Sequence, residues 1–133
     1  MRTALDSSVI LDVVVADPAH ADRAEVALRR AASEGALVIG ECVLAEIRPA
    51  FAADEIDEFL DDWNITFQPS TRQSSLLAGE IFRRYLERRA AGPRWVVADF
   101  LIGAHALSTC DRLLARDRGY FRDYFSGLVV VEP

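Results

Sequence analysis

The segment from Trp95 to Leu107 restricts the possible folds of this chain more than any other stretch. Its apolar residues are not confined to one stripe but cover nearly the whole circumference of a helix, a pattern typical of a helix buried on all sides. These residues are Val96, Val97, Phe100, Leu101, Ile102, Ala104 and Leu107. Such a helix belongs in the middle of a fold, so the rest of the chain is expected to pack around it.

Asp99 and His105 are the polar residues of this apolar segment. A carboxylate in apolar surroundings must be neutralised, accept hydrogen bonds or meet a cation. Asp99 could simply be the N-cap of the helix, because an Asp there accepts from the free amides of the first turn. His105 follows six residues later, off the face of Asp99 on a straight helix. We expect it to be a packed or interfacial histidine rather than a ligand.

Short apolar stretches alternate with helical patterns along the chain. The strand candidates are residues 2–6, 36–40, 64–68, 112–116 and 128–131. Strands alternating with helices through short loops predict an α/β fold with a mostly parallel sheet between helical layers. The length of 133 residues and the hydrophobic fraction of 51% fit a single domain over residues 1–133.

Capping patterns and helix breakers predict several helix boundaries. Helix starts are predicted at Asp17-Pro18, at Asp54 with Asp57, and at Pro69-Ser70 with Gln73. The first of these helices should run to about Ser33, and another is expected from about Glu41 to Ala52. Gly92 and Pro93 predict the end of the helix that starts near Ser70.

The net charge of −6 argues at first sight against a nucleic-acid partner. However, six acids fall in one short cluster between Asp54 and Asp62, and the segment from Arg72 to Arg122 has ten arginines against five acids. The chain contains no lysine. Guanidinium groups form good forks for phosphate oxygens, although solvated helix faces explain the same composition equally well. The missing lysine disfavours receiver domains and aspartate-nucleophile phosphatases, since both place a lysine on phosphate.

Four acids occupy positions that an α/β topology can bring to one pocket. Asp6 ends the first strand and Asp117 follows the fourth, and ligands bind outside the carboxyl ends of parallel strands. Glu46 lies on or beside the inward face of its helix, and Asp99 near the start of the central helix. Each has an ordinary explanation as a cap, a turn acid or a surface residue. Together they predict a site for Mg²⁺ or Mn²⁺, which could activate water against a phosphodiester.

Four segments carry a resemblance to a known family. They are residues 5–11 (LDSSVIL), 44–47 (LAEI), 97–106 (VADFLIGAHA) and 113–121 (LLARDRGYF). In this order they resemble the motifs of PIN-domain ribonucleases, and more narrowly VapC-type toxins of toxin–antitoxin pairs. The resemblance implies a three-layer α/β/α sandwich around a sheet of about five strands.

The resemblance also implies the site and its partners. Asp6, Glu46, Asp99 and Asp117 become the catalytic, metal-binding acids, and Ser8 falls where the family often has a small polar residue supporting the first Asp. The implied activity is Mg²⁺- or Mn²⁺-dependent cleavage of RNA. The implied partners are a second copy of the chain, in a homodimer, and a cognate antitoxin protein whose tail covers the site.

Two positions depart from the family pattern. Ala115 stands where many relatives have Thr or Ser, which could loosen the outer shell of the metal, and Gly119 stands where some carry another acid, which puts a second metal in doubt. Arg116 and Arg118 flank Asp117, where they could steer phosphate or form surface ion pairs.

Other observations define the compartment and the rival function. No signal-type or membrane-spanning apolar segment is found near the N-terminus, so a soluble, cytoplasmic protein without a membrane partner is expected. Cys42 and Cys110 have no pairing or metal-type spacing and are expected to be reduced core residues, while His20 is expected to be solvated. The alternative function is a noncatalytic PIN-fold module that binds protein or RNA.

Overall fold

A computed structural model describes residues 1–88, 95–116 and 119–133 of the chain. The strands are β1 (Arg2–Leu5), β2 (Ala36–Ile39), β3 (Ile65–Phe67), β4 (Arg112–Leu114) and β5 (Val130–Val131). The helices are α1 (Ser7–Val14), α2 (Ala21–Glu34), α3 (Glu41–Ile47), α4 (Glu55–Asp62), α5 (Arg72–Arg88), α6 (Val97–Thr109) and α7 (Tyr120–Tyr124). A short 3₁₀ turn, Arg48–Ala50, follows α3.

The five strands form one sheet in the order β3-β2-β1-β4-β5, and every neighbouring pair is parallel. Strand β1 is central, because Ala4 pairs with Val38 on one side and with Leu113 on the other. Right-handed crossovers place α1 to α4 over one face of such a sheet and α5 to α7 over the other. The predicted three-layer sandwich with about five strands is confirmed.

Helix α6 is buried through its middle but not at its start. Phe100, Ile102 and Ala104 are 5% exposed or less, whereas Val96 and Val97 are 60% and 45% exposed. The prediction of a helix buried on all sides is therefore wrong for its first residues. The start of α6 lies near Asp6, since the charge of Asp99 raises the pKa of Asp6. At this edge of the sheet no further helical layer in the described part of the chain covers the first residues of α6.

An aromatic cluster ties α5, α6 and α7 together. The ring of Phe100 lies 5.1 Å from that of Phe82, 5.3 Å from Tyr85 and 6.1 Å from Phe125, measured between centroids. The amide of Trp95 donates to the Tyr85 hydroxyl at 3.0 Å. Large rings that contact one another in this way contribute both buried area and orientation. The cluster therefore fixes the helical layer that carries Asp99.

Several helix boundaries differ from the prediction. Helix α2 begins at Ala21 rather than Pro18, because the Asp17 carboxylate pairs with the ring of His20 while residues 18–20 form a turn. Helix α5 is capped by Thr71 and Ser74, which exchange hydrogen bonds of 3.0 Å, one residue beyond the predicted Ser70–Gln73 pair.

Two further boundaries depend on local chemistry, and one lies outside the description. Asp54 makes no side-chain cap; instead the Glu55 carboxylate accepts from the amide of Ala52. Helix α3 ends early, at Ile47, where Pro49 converts the chain to a 3₁₀ turn. The predicted helix end at residues 92–93 lies outside the described residues. In the described ranges, no helix is long and apolar enough to cross a membrane.

Gly103 allows α6 to pack closely against Phe125, the residue that follows α7. A Cβ at this position would lie 2.5 Å from the ring of Phe125, which is itself 2% exposed. We expect Gly103→Ala to lower the free energy of unfolding by about 1–3 kcal/mol, measured by urea denaturation, because the buried ring has no room to move.

Gly79 in α5 provides the control, since a Cβ there would meet no atom within 4 Å. Gly79→Ala should raise stability by roughly 0.5–1 kcal/mol through helix propensity alone. Equal effects of the two substitutions would contradict the close-packing explanation.

Candidate metal centre

Asp6 directly follows β1 and is the N-cap of α1. Its carboxylate accepts from the amide of Ser8 at 3.3 Å and from the Ser8 hydroxyl at 2.5 Å. The residue is only 7% exposed. Burial raises the pKa of Asp6 above its ordinary value, and the nearby charge of Asp99 adds to this, although the hydrogen bonds from Ser8 oppose it. Asp6 is thus a buried acid in a fixed position at the carboxyl end of the central strand.

Glu46 reaches this position from α3. Much of the residue is exposed, but its carboxylate accepts from the Ser7 hydroxyl at 3.2 Å. Partial burial raises the pKa of Glu46, and the charges of Asp6 and Asp99 raise it further. The carboxylates of Asp6, Glu46 and Asp99 therefore act on one another electrostatically.

Asp99 is the third residue of α6, so the N-cap prediction is wrong and Val96 occupies that position. The Asp99 carboxylate accepts from the amide of Val96 at 3.1 Å and closes the first turn from inside the helix. An acid at this position also interacts favourably with the positive end of the helix dipole. Asp99 therefore combines a structural role with an electrostatic effect on Asp6 and Glu46.

The fourth predicted acid, Asp117, and the neighbouring Arg118 lie outside the described residues. The end of β4 lies beside Asp6, because the amide of Asp6 donates to the Leu114 carbonyl at 3.0 Å. The amide of Arg116 donates to the Ser8 hydroxyl at 3.3 Å. Ser8 thus contacts Asp6 on one side and Arg116 on the other, and its supporting role at a metal site stays a prediction.

Comparison with known proteins identifies the family. Residues 3–124 match the family model described as the PIN domain. The chain belongs to the PIN domain family. No curated protein sequence matches it.

Two solved structures share the fold of this PIN domain. One is the crystal structure of VapBC2 from Rickettsia felis bound to a DNA fragment from their promoter, with a TM-score of 0.76, 18% identity, and coverage of 100% of this chain and 99% of the matched chain. The other is the crystal structure of DNA-bound VapBC from Salmonella typhimurium, with a TM-score of 0.64, 16% identity, and coverage of 99% and 98%. The resemblance seen in the sequence is confirmed at the level of fold.

The donor chemistry of the site in this PIN domain fits a hard divalent cation. Asp6, Glu46 and Asp99 offer carboxylate oxygens, which Mg²⁺ and Mn²⁺ prefer. Burial raises the pKa of both Asp6 and Glu46, and the charges of the neighbouring acids add to it; a bound cation would relieve both effects. The residues that would hold such an ion are these three together with Asp117.

A second acidic group escaped the sequence reasoning. Within the described ranges, Asp12, Asp17 and His20 have potential ligand atoms that all lie within 4.8 Å of one another. His20 was expected to be solvated, but its Nδ1 lies 2.6 Å from the Asp17 carboxylate. Arg116 already neutralises Asp12 through an ion pair of 2.8 Å. The spacing of three residues between Asp17 and His20 could have predicted their contact. No nearby sequence feature could have predicted that Arg116 pairs with Asp12.

His105 and the cysteines behave as packed side chains. His105 is 4% exposed, and its Nε2 lies 2.7 Å from the carbonyl oxygen of Gln68. The thiols of Cys42 and Cys110 are free and half-buried, and burial raises the pKa of each. The prediction that His105 is a packed residue is confirmed. Cys42 and Cys110 are only partly buried, so they lie at the margin of the core rather than within it.

Proposed function

We propose that this PIN domain is a metal-dependent endoribonuclease that acts as the toxin of a toxin–antitoxin pair. The observation that carries the proposal is Asp6, a buried acid with a raised pKa at the carboxyl end of the central strand. The charge of Asp99, on α6, contributes to the raised pKa of Asp6. The charges of Asp6 and Asp99 in turn raise the pKa of Glu46, on α3. A desolvated carboxylate of this kind is costly without a cation and marks a functional site.

The chemistry assigns different tasks to the acids. A Mg²⁺ or Mn²⁺ ion bound by Asp6, Glu46, Asp99 and Asp117 would supply a nucleophile by lowering the pKa of water and would stabilise charge on the phosphate. Asp6 is held rigidly by Ser8, so it provides the fixed side of the site. Glu46 lies exposed on α3, where among the described residues the Ser7 hydroxyl donates to its carboxylate, and it provides the adjustable side.

RNA is the proposed substrate, although the protein as a whole is acidic. On α5 the arginine-rich face is internally paired, because Arg83 forms ion pairs with both Glu80 and Glu87. This supports the solvated-face interpretation for Arg83 on that helix. Neutralisation of the acids by a bound cation would remove much of the repulsion toward RNA phosphates at the site itself.

The proposed partners follow from the family and from the fold. The two VapBC structures with this fold are DNA-bound complexes. We propose that this chain binds a cognate antitoxin that covers its acidic site, and that it forms a homodimer, as the sequence resemblance implies. A short reading frame for a small DNA-binding protein beside the gene of this chain would support the pairing.

Metal removal tests the nuclease proposal directly. The purified chain should cleave a labelled single-stranded RNA with Mn²⁺ or Mg²⁺, lose the activity in excess chelator, and recover it when Mn²⁺ is restored in excess. A noncatalytic binding module would instead bind RNA or protein without producing fragments under any of these conditions. Cleavage that continues unchanged in chelator would overturn the metal mechanism.

A further inference from the structure

Asp12 and Arg116 form a partly buried contact that joins α1 to the chain just after β4. Asp12 lies less than two helical turns beyond Asp6 on α1 and is 4% exposed. The guanidinium of Arg116 donates one hydrogen bond to it, from Nη2 to Oδ1 at 3.0 Å, while Nε lies 2.8 Å from Oδ2 as an ion pair without hydrogen-bond geometry. A charge-assisted hydrogen bond of this kind fixes direction as well as distance. The pair connects residues 104 positions apart in the sequence.

A second contact holds the same residue by its backbone. The amide of Arg116 donates to the Ser8 hydroxyl at 3.3 Å, and this hydroxyl donates to the Asp6 carboxylate at 2.5 Å. Arg116 is therefore held by α1 at two points, its backbone and its side chain. Both points lie on the helix that Asp6 caps.

We infer that Asp12 is a positioning residue for the nuclease site, acting through Arg116. This inference rests on the proposed function. Arg116 contacts the Ser8 hydroxyl that donates to the Asp6 carboxylate, so the place where Asp12 holds Arg116 bears on the orientation of Asp6. Asp12 has no contact with substrate in this scheme; it fixes Arg116 relative to Ser8 and Asp6.

The energetics agree with a geometric role. Replacing a buried ion pair by apolar residues of similar size is often neutral or stabilising, so the net stability gained from such a pair is a poor reason for its presence. A polar pair does restrict the chain to one arrangement, which an apolar contact does less well. The guanidinium of Arg116 is also occupied by Asp12, through one hydrogen bond and one ion pair, and its phosphate-contact role is the weaker alternative.

The test separates position from stability. Asp12→Asn is expected to weaken Mn²⁺ binding by about 10- to 100-fold, the range seen when residues that orient metal ligands are changed. Binding is measured by titrating the RNA-free protein with Mn²⁺ and following free Mn²⁺ by electron paramagnetic resonance. RNA cleavage should show a lower kcat at equal Mn²⁺, with the KM for RNA nearly unchanged.

A double variant addresses folding. Asp12→Leu combined with Arg116→Met removes both charges, so no buried charge is left unpaired and the melting temperature should return toward the wild-type value. If Asp12 only stabilises the fold, Mn²⁺ affinity should return with it. We expect Mn²⁺ affinity to stay low.

Glu34 provides a matched control. Its carboxylate pairs with Arg112 at 3.0 Å and also connects a helix to β4, but at the other end of that strand. Glu34→Gln should leave Mn²⁺ affinity unchanged. An equal loss of affinity in Glu34→Gln and Asp12→Asn, or no loss in Asp12→Asn, would overturn the inference.

The remaining outcomes distinguish this inference from the proposed function. A wild-type protein that neither binds Mn²⁺ nor cleaves RNA would contradict the proposed function as a whole. A higher KM for RNA with unchanged kcat and Mn²⁺ affinity in Arg116→Lys would assign Arg116 to phosphate binding and overturn only the positioning role.

Discussion

Replacing Asp99 with Asn is expected to lower the rate of RNA cleavage by about 100-fold or more. Residues that merely orient metal ligands cost about 10- to 100-fold when changed, so a ligand itself should cost at least the upper value. Asn keeps the shape of Asp, and its amide oxygen can still accept from the Val96 amide that Asp99 binds at 3.1 Å. The loss should therefore come from the missing charge rather than from a disrupted helix start. Initial rates at saturating Mn²⁺ measure it.

Growth provides a second readout for the same substitution. Expression of the wild-type chain without its antitoxin should arrest growth, and Asp99→Asn should relieve the arrest. Asp57 is the control, because it is the third residue of α4 as Asp99 is of α6, but it is exposed and outside the site. Asp57→Asn should retain full cleavage and full toxicity. Undiminished cleavage by purified Asp99→Asn would remove Asp99 from the mechanism.

Asp6→Asn should change thermal stability in opposite ways with and without metal. In chelator at pH 7 the variant should melt at a higher temperature than the wild type, because a buried carboxylate with a raised pKa destabilises the fold when it is charged. Each pKa unit is worth about 1.4 kcal/mol, or roughly 5 °C in a domain of this size. Asn caps helices as well as Asp does, so the cap of α1 should survive.

Excess Mn²⁺ should reverse the order. A metal bound only by the folded wild type adds about 2.7 kcal/mol at 100 times its dissociation constant. Asp6→Asn lacks one ligand and should gain much less. Scanning calorimetry of both proteins, with chelator and with Mn²⁺, measures the four melting temperatures. Equal metal-induced shifts in the two proteins would exclude Asp6 as a ligand.

The pH dependence of the metal-free protein follows from the same pKa. Because the pKa of Asp6 is raised in the folded state, the fold binds more protons than the unfolded chain between the ordinary value of 3.8 and the raised value. The penalty is absent below 3.8 and grows as the pH rises through this window. The advantage of Asp6→Asn in chelator should therefore shrink as the pH is lowered toward 4.

Much of the fold could be predicted because its signals are local and agree with one another. The apolar segment of α6 and the alternation of strands and helices indicate a layered parallel sheet. The five strands β1 to β5 do alternate with helices along the chain and form one parallel sheet. The exact caps could not be predicted in the same way. Around Thr71 several hydroxyls lie within a few residues, and the pattern alone does not decide which of them meets a free amide.

The site was predictable only in part for a different reason. Asp6 and its Ser8 partner are close in sequence, so a motif can represent them. The Asp12–Arg116 contact joins positions 104 residues apart, and no periodicity or spacing reports such a pair. A signal existed nevertheless: Asp12 interrupts an apolar run, as Asp99 does, and a buried acid requires a partner.

The central place of β1 makes the assembly of the site depend on distant parts of the chain. One of the two neighbours of β1 is β4, and Thr3 pairs there with Arg112. The contact between Ser8 and Arg116 depends on the same pairing. Forming contacts over such sequence distances is slow, because the entropy of closing a long loop is lost before the contact is made. A chain in which β1 and β4 are apart, whether newly made or partly unfolded, therefore holds Asp6 in an unassembled site and should have no RNA-cleaving activity.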